Sequence, residues 1–256
     1  MERMTTTSSI DFGYPWWLTY GHLAVLVPAL IGLLVGRILK WPIWLMTVLG
    51  LLAVWAGAAF FVMRSFNVNG PPALLTQNFL PSGVGRVLDL GAGTGRSSIM
   101  VLTARPQATL VALDLFGESF ETHFGHHNSP QEQLLANLKA AGVDQRASIE
   151  TADMRRLPFE AASFDAIVSA YAVDHLGREG AKQALAEASR VIKPEGDFLL
   201  ILVANDRWTK FAFGPLLSHG GTRGADWWRE RVNEAGFQVV EQGTAPATLY
   251  FLLRRG

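Results

Sequence analysis

The stretch VLDLGAGTG, Val87 to Gly95, sets an acidic residue, Asp89, directly before a turn holding Gly91, Ala92, Gly93 and Gly95. The apolar run ending in Asp89 reads as a strand, and Arg96–Ala104 reads as the helix that follows. Glycines set this closely let the backbone approach a ligand where any Cβ would collide with it. A second apolar run, LVALD, ends at Asp114. That spacing suits a neighbouring strand whose carboxylate grips two ribose hydroxyls. Together these residues point to an adenosine-containing ligand.

The choice of ligand rests on charge. A nicotinamide dinucleotide site prefers G-x-G-x-x-G, with pyrophosphate against the amides of a helix N-terminus. Here the third glycine comes one residue early, and Arg96 stands where that pattern wants glycine. Asp89 would repel a phosphate pressed beside it and attract an ammonium. S-adenosyl-L-methionine carries an ammonium and a sulfonium and has no phosphate, so the electrostatics favour it over NAD.

At these residues the chain resembles the class I S-adenosylmethionine-dependent methyltransferases, in particular the UbiE-like small-molecule and lipid enzymes, from about Pro72 to the C-terminus. The first motif is D-x-G-x-G-x-G at Asp89–Gly95, and Asp114 matches the acid that ends the second strand. TADMRRLPF, SFDAIVSAYAVDHL, RVIKPEGDFLLI, EAGFQVVEQ and TLYFLLRR are similar to the family's later motifs, in order. The resemblance implies that Asp89 orients the methionine ammonium, Asp114 holds ribose, Asp153 accepts from the adenine amino group and the backbone of Met154 meets the ring edge. Ala92, Leu115 and Ala170 complete the cofactor-facing set.

Methyl transfer from a sulfonium is an in-line displacement, so the protein mainly aligns the acceptor and excludes water. A base, where the acceptor needs one, comes from the turn after the fourth strand. His175 is the candidate, with Asp174 to orient it and Tyr171 to contact the acceptor. The alternative for His175 is a purely packing role. Asp165, at the opposite end of that strand, reads as structural. The Asn/Asp-Pro-Pro-aromatic motif of amino-methylating nucleic-acid enzymes is absent, and Ala170-Tyr171-Ala172-Val173 stands in its place.

The formal net charge is zero over 256 residues, which argues against a general nucleic-acid partner. Cysteine is absent, so disulfides, thiolate zinc sites and thiol nucleophiles are excluded, and with them arsenite methylation.

The hydrophobicity is concentrated at the N-terminal end. Phe12–Gly36 and Trp41–Met63 contain no Lys, Arg, Asp or Glu, and each exceeds the ~20 residues needed to cross a hydrocarbon core. The short link Arg37-Ile38-Leu39-Lys40 suits a tight helical hairpin. Trp16, Trp17, Tyr20, Trp41 and Trp44 cluster near the ends, where amphipathic rings favour headgroups. Gly32 and Gly36 form a small-x-x-x-small pair, and Pro28 suggests a mild kink. We expect residues 1–66 to form a membrane hairpin, with helices at about 16–36 and 41–63. A cofactor made in the cytosol then puts the catalytic domain on the cytoplasmic face, although the Arg37/Lys40 loop runs against the positive-inside tendency.

Asn67–Pro72 reads as a linker, and 72–256 as the catalytic domain. A short helix is expected at Ala73–Leu80. Strands are expected at Arg86–Leu90, Thr109–Asp114, Ala147–Thr151, Phe164–Ala170, Asp197–Val203, Phe237–Gln242 and Thr248–Leu253. Helices are expected near Gly95–Ala104, Gln131–Ala141, Ala181–Val191 and Asp226–Ala235. This alternation specifies an α/β, Rossmann-like fold, a seven-stranded mainly parallel sheet with its last strand antiparallel, preceded by two transmembrane helices. Two long loops stand out. Phe116–Pro130 carries Phe120, Phe124, His123, His126 and His127, read as a polar-aromatic loop rather than a metal site. Asn205–Ala225 carries Trp208, Phe211, Phe213, Leu216 and Leu217, read as core or as an apolar lid.

The leading expectation is a membrane-anchored methyltransferase acting on a small molecule or lipid. A cofactor-binding, non-catalytic membrane adaptor and an NAD-dependent oxidoreductase stand as alternatives.

Overall fold

The computed structural model describes residues 9–70, 72–117, 130–213 and 223–256. The N-terminal part comprises α1 (Trp16–Tyr20), α2 (Leu23–Ile38) and α3 (Ile43–Phe66). Then come β1 (Val84–Leu90), α4 (Arg96–Ala104), β2 (Gln107–Asp114), α5 (Pro130–Ala140), β3 (Ala147–Thr151) and β4 (Phe164–Ala170). The chain continues through α6 (Gly177–Val191), β5 (Ile192–Val203), α7 (Arg207–Phe213), α8 (Ala225–Glu234), β6 (Phe237–Ala245) and β7 (Thr248–Arg255).

The sheet has seven strands in the order β3-β2-β1-β4-β5-β7-β6. The β1, β2, β3, β4 and β5 neighbours pair in parallel, and β7 runs antiparallel to both β5 and β6. Alternate side chains serve opposite faces: Leu88 and Leu90 join one buried cluster, with α6 and α8, and Val87 joins the other, with α4 and α5. Gly142 and Gly236 follow helices with φ of +68° and +84°, the left-handed geometry expected of them. In the Lys193–Gly196 segment the β4 partner jumps from Ile192 to Asp197, and Glu195 has φ +60°. Lys193–Gly196, within the RVIKPEGDFLLI motif, is thus looped out between two paired stretches.

Residues 73–80 form turns, not the expected helix. Long-range partners take the groups a helix would pair internally. Buried Arg105 donates to the carbonyls of Gln77, Phe79 and Leu80, and the Leu80 amide donates to Asp197 Oδ2 at 2.9 Å. Thr76 and Asn78 both donate to Glu241. These bonds satisfy the segment without helical pairing.

Two apolar helices pack together at the N-terminal end, with boundaries shifted from those expected. Trp16–Ile38 and Ile43–Phe66, 23 and 24 residues, are long and apolar enough to cross a membrane, and only 11% and 17% of their most apolar windows are buried. The first is interrupted at Gly21–His22, while Pro28 lies within α2. Gly32 and Gly36 do face α3: a Cβ on Gly36 would lie 2.6 Å from Met46 Sδ, and one on Gly32 would lie 3.1 Å from Leu49. The outward side chains are large and apolar, Ile43 and Val54 among them.

The hairpin is not a separate body on a linker. Tyr171 meets Phe66 at the end of α3, and Trp55 Nε1 donates to the carbonyl of Phe211 in α7. Ahead of α1, Phe12 is fully buried in the catalytic-domain core beside Phe79 and Ala92. This segment belongs by packing to the sheet, although the sequence reading assigned it to the hairpin.

Candidate active site

The carboxyl edge of the parallel strands gathers most of the expected residues. β1 ends at Leu90 and the chain turns through Gly91, Gly93 and Gly95, with φ of +77°, +53° and +94°. Any side chain would be strained there. A Cβ on Gly91 would lie 2.3 Å from the Ala172 methyl, and one on Gly95 would lie 2.6 Å from Leu134 Cδ1. The turn is lashed to the end of β2: the Gly91 and Ala92 amides donate to the carbonyl of Leu113, and the Gly93 amide donates to Asp114 Oδ2 at 2.9 Å. The other Asp114 oxygen accepts the Phe116 amide at 3.0 Å. The two features read separately from the sequence are one hydrogen-bonded unit.

Asp89 occupies a different place from the one expected. It is fully buried beneath the turn, and its carboxylate accepts from Ser97 Oγ at 2.7 and 2.9 Å and from Ser98 Oγ at 2.6 Å. Burial pushes its carboxyl up to about 7; the two serine hydroxyls oppose the rise, and the nearby Asp114 charge adds to it. Asp89 therefore braces the first turn of α4 from below rather than lining an open cleft. The signal for this was the Ser-Ser pair directly after Arg96.

The third-strand motif arrives at the same edge. Met154 Cε approaches Gly91, at 3.0 Å from where a Cβ would sit. Asp153 is held by Arg155 through Nε and a terminal nitrogen, at 2.6 to 3.0 Å. This pairing, opposed by partial burial, keeps the carboxyl below its ordinary value. Leu115 is exposed beside Asp114, and Ala170 closes β4, half-buried.

Beyond β4 the chain makes a sharp turn. Tyr171 has φ +54°, its hydroxyl lies 2.7 Å from Thr248 Oγ1, and burial raises its phenol above the ordinary value. Asp174, in the short 3-10 helix Val173–Leu176, accepts the Val203 amide on Oδ2 at 3.2 Å, while its Oδ1 is buried without a hydrogen-bond partner. Burial raises its carboxyl as well, against the pull of the His175 imidazole. His175 itself is exposed, so of the three expected acceptor-side residues Asp174 and Tyr171 are half-buried and His175 lies at the surface. Asp165 sits at the far end, accepting from the Arg86 amide and Lys193, a structural role as expected.

What covers the turn is not legible in the motifs. The segment 10–14 crosses it: Thr94 Oγ1 donates to the Phe12 carbonyl, and Asn137 Nδ2 donates to the carbonyls of Asp11 and Thr94. Arg96 donates to the Asn67 carbonyl at 3.3 Å and places its guanidinium 5.8 Å from the Phe66 ring centre. The half-buried Tyr14 is close enough to Arg96 to feel its charge.

The donor set fits S-adenosylmethionine. A backbone cradle that no Cβ could share, a carboxylate at the end of β2 and apolar cover from Met154 and Leu115 match a nucleoside lacking phosphate. Among the described residues no three potential metal ligands cluster. The expected loop residues Phe120, His123, Phe124, His126 and His127, and Leu216 and Leu217, lie outside the described residues.

Residues 87–196 match the family described as a methyltransferase domain. The chain is 31% identical over 126 residues to an uncharacterized protein of Haemophilus influenzae, covering 44% of this chain and 47% of that protein. It is 33% identical over 116 residues to a demethylmenaquinone methyltransferase of Deinococcus radiodurans (45% and 42%). It is 34% identical over 117 residues to the ubiquinone/menaquinone biosynthesis C-methyltransferase UbiE of Rhizobium etli (45% and 40%). The chain thus spans less than half the length of these relatives. In fold it is similar to an O-methyltransferase family protein of Burkholderia thailandensis, with a TM-score of 0.59 at 18% identity, over 99% of this chain and 74% of that one. It is likewise similar to an O-methyltransferase family 2 protein of Planctomyces limnophilus, with a TM-score of 0.55 at 16% identity, over 79% and 60%.

Proposed function

We propose that this chain, which carries a class I S-adenosylmethionine-dependent methyltransferase domain, transfers a methyl group to a small lipophilic acceptor at a membrane face. The observation that carries this reading is the single unit made by the glycine turn and Asp114, at the carboxyl edge where α/β sheets bind ligands. S-adenosylmethionine supplies the electrophilic methyl group. The residues of the chain hold and shield it. Gly91, Gly93 and Gly95 admit the backbone to close approach; Asp114 offers its free lone pairs to ribose; Asp153, Met154 and Leu115 border the adenine side. Asp89, sealed beneath the turn by Ser97 and Ser98, keeps α4 in register with it.

On the acceptor side, Tyr171 positions and Asp174 receives a proton where the acceptor hydroxyl must lose one. A raised carboxyl with one unpartnered oxygen is suited to that step. Two of the relatives are named for quinone biosynthesis, and a ring-bearing lipophilic acceptor of that class suits a site packed against an apolar hairpin. The exposed apolar faces of α2 and α3 support membrane anchoring, with the catalytic domain on the cytoplasmic side where the cofactor is made. The balanced charge favours such an acceptor over nucleic acid.

The test is transfer of labelled methyl from S-adenosylmethionine into a membrane lipid extract by the full chain in detergent. Label is expected in a phenolic or quinol lipid fraction. Cofactor binding without any incorporation would favour the adaptor reading instead.

A further inference from the structure

A cavity of about 320 Å³ lies between the end of α3, the start of α7 and the β6–β7 turn, lined by Phe61, Val62, Asp206, Trp208, Ala245 and Pro246, among others. We propose that this cavity takes the hydrocarbon tail of the acceptor, drawn sideways out of the bilayer along α3. The inference rests on the methyltransferase reading and adds where the substrate's apolar part lies and how it arrives.

Three observations converge. The first is position: the β6–β7 turn leads directly into Thr248, whose hydroxyl meets that of Tyr171, and the next residue, Ala172, packs on Gly91. A head group beside Tyr171 therefore has its tail in the cavity. The second is composition. One wall comes from the last turns of a helix long and apolar enough to span a membrane, where Phe61 faces outward, 73% exposed. The volume is within the ordinary range for small-molecule sites, and the lining is apolar except for Ser65, Asp206 and Thr244. Asp206 is engaged, its Oδ1 accepting the Trp208 and Thr209 amides.

The third observation is the neighbouring helix. α7 sets Trp208 and Phe211, both exposed, beside Arg207 and Lys210, and the Arg207 guanidinium lies 5.1 Å from the Trp208 ring centre. Aromatic and cationic side chains in this mixture favour the headgroup layer. Through Trp55 the same helix is tied to α3. The cavity thus lies against the last turns of α3 with this aromatic and cationic helix beside it, which commits the occupant to a single lipid tail.

The experiment uses the full chain in lipid nanodiscs and a farnesyl-tailed phenol carrying a diazirine on its tail. Labelling is expected at the end of α3, in α7 and in the β6–β7 turn, competed by the unmodified farnesyl phenol and not by phenol. Val62→Trp, which fills the cavity, should cut that labelling at least about tenfold, equivalent to about 1.4 kcal/mol. Ser65→Trp provides the second obstruction should Val62→Trp fail to fold, and Val54→Trp on the outer face of α3 should leave labelling unchanged. Labelling spread along Val27, Ile31 and Leu34, or indifferent to both obstructions, would overturn the proposal. Calorimetry with S-adenosylhomocysteine on the same samples separates the two readings: binding with no cavity labelling defeats only the tail site. Absence of binding defeats the methyltransferase reading itself.

Discussion

The sheet and the hairpin are both built from runs of Leu, Val and Ala, yet they use them oppositely. In β1 the side chains of Leu88 and Leu90 are fully buried and split the strand's residues between two faces with Val87. In α3 Ile43 and Val54 are 81% and 71% exposed. The same composition thus closes a core in one region and offers an apolar surface in the other. The difference teaches that hydropathy alone does not say what a run packs against; length and interruption by polar residues do. The two regions meet at Phe66, Arg96 and Tyr171, where the apolar hairpin ends on the polar site.

The largest effect that would sharpen this contrast concerns the one acid sealed in the sheet region. Asp89 has its carboxyl raised from the ordinary 3.8 to about 7. Between those pH values the folded chain holds a proton that the unfolded chain has released. Its contribution to stability is therefore complete below pH ~4 and is lost as pH rises through ~7, a total on the order of 4 kcal/mol. Asp89→Asn should remove this decline, so that urea unfolding at pH 5 through 8 gives a flatter profile than the parent. An unchanged slope would mean that Asp89 is charged and satisfied throughout.

Truncations come next. Leu90→Ala should cost about 2–5 kcal/mol in the same unfolding measurement, whereas Val54→Ala in detergent should cost less than about 0.5 kcal/mol. Equal costs would erase the distinction between core and exposed apolar surface. Val54→Lys instead should disfavour membrane insertion by about 2.5–3.5 kcal/mol, read as a loss of membrane-integrated protein. Arg155→Ala should leave thermal unfolding unchanged, since its pairing with Asp153 is well exposed.

Much of this was legible because local chemistry and fold agree. The strands of the parallel sheet announce themselves as short apolar runs, and the left-handed Gly142 and Gly236 mark helix ends. The turn and Asp114 could be paired from spacing alone, since the ligand chemistry demands both. What escaped depends on partners distant in sequence. Residues 73–80 look helical until Arg105, Asp197 and Glu241 are brought to them. Phe12 sits in a charge-free run continuous with the hairpin, and only the fold shows it buried against Phe79. A carboxylate before a glycine turn points by its charge to a cationic ligand; that Ser97 and Ser98 seal Asp89 is a matter of which way α4 begins.

The most direct test of the account is titration of the full chain in detergent with S-adenosylhomocysteine, comparing the parent with Asp114→Asn and using NADH as a control. Losing the carboxylate's charge-assisted bonds should weaken binding by roughly 3 kcal/mol, about a hundredfold, with no heat from NADH. Undiminished affinity in Asp114→Asn, or NADH binding as tightly as the nucleoside, would contradict it.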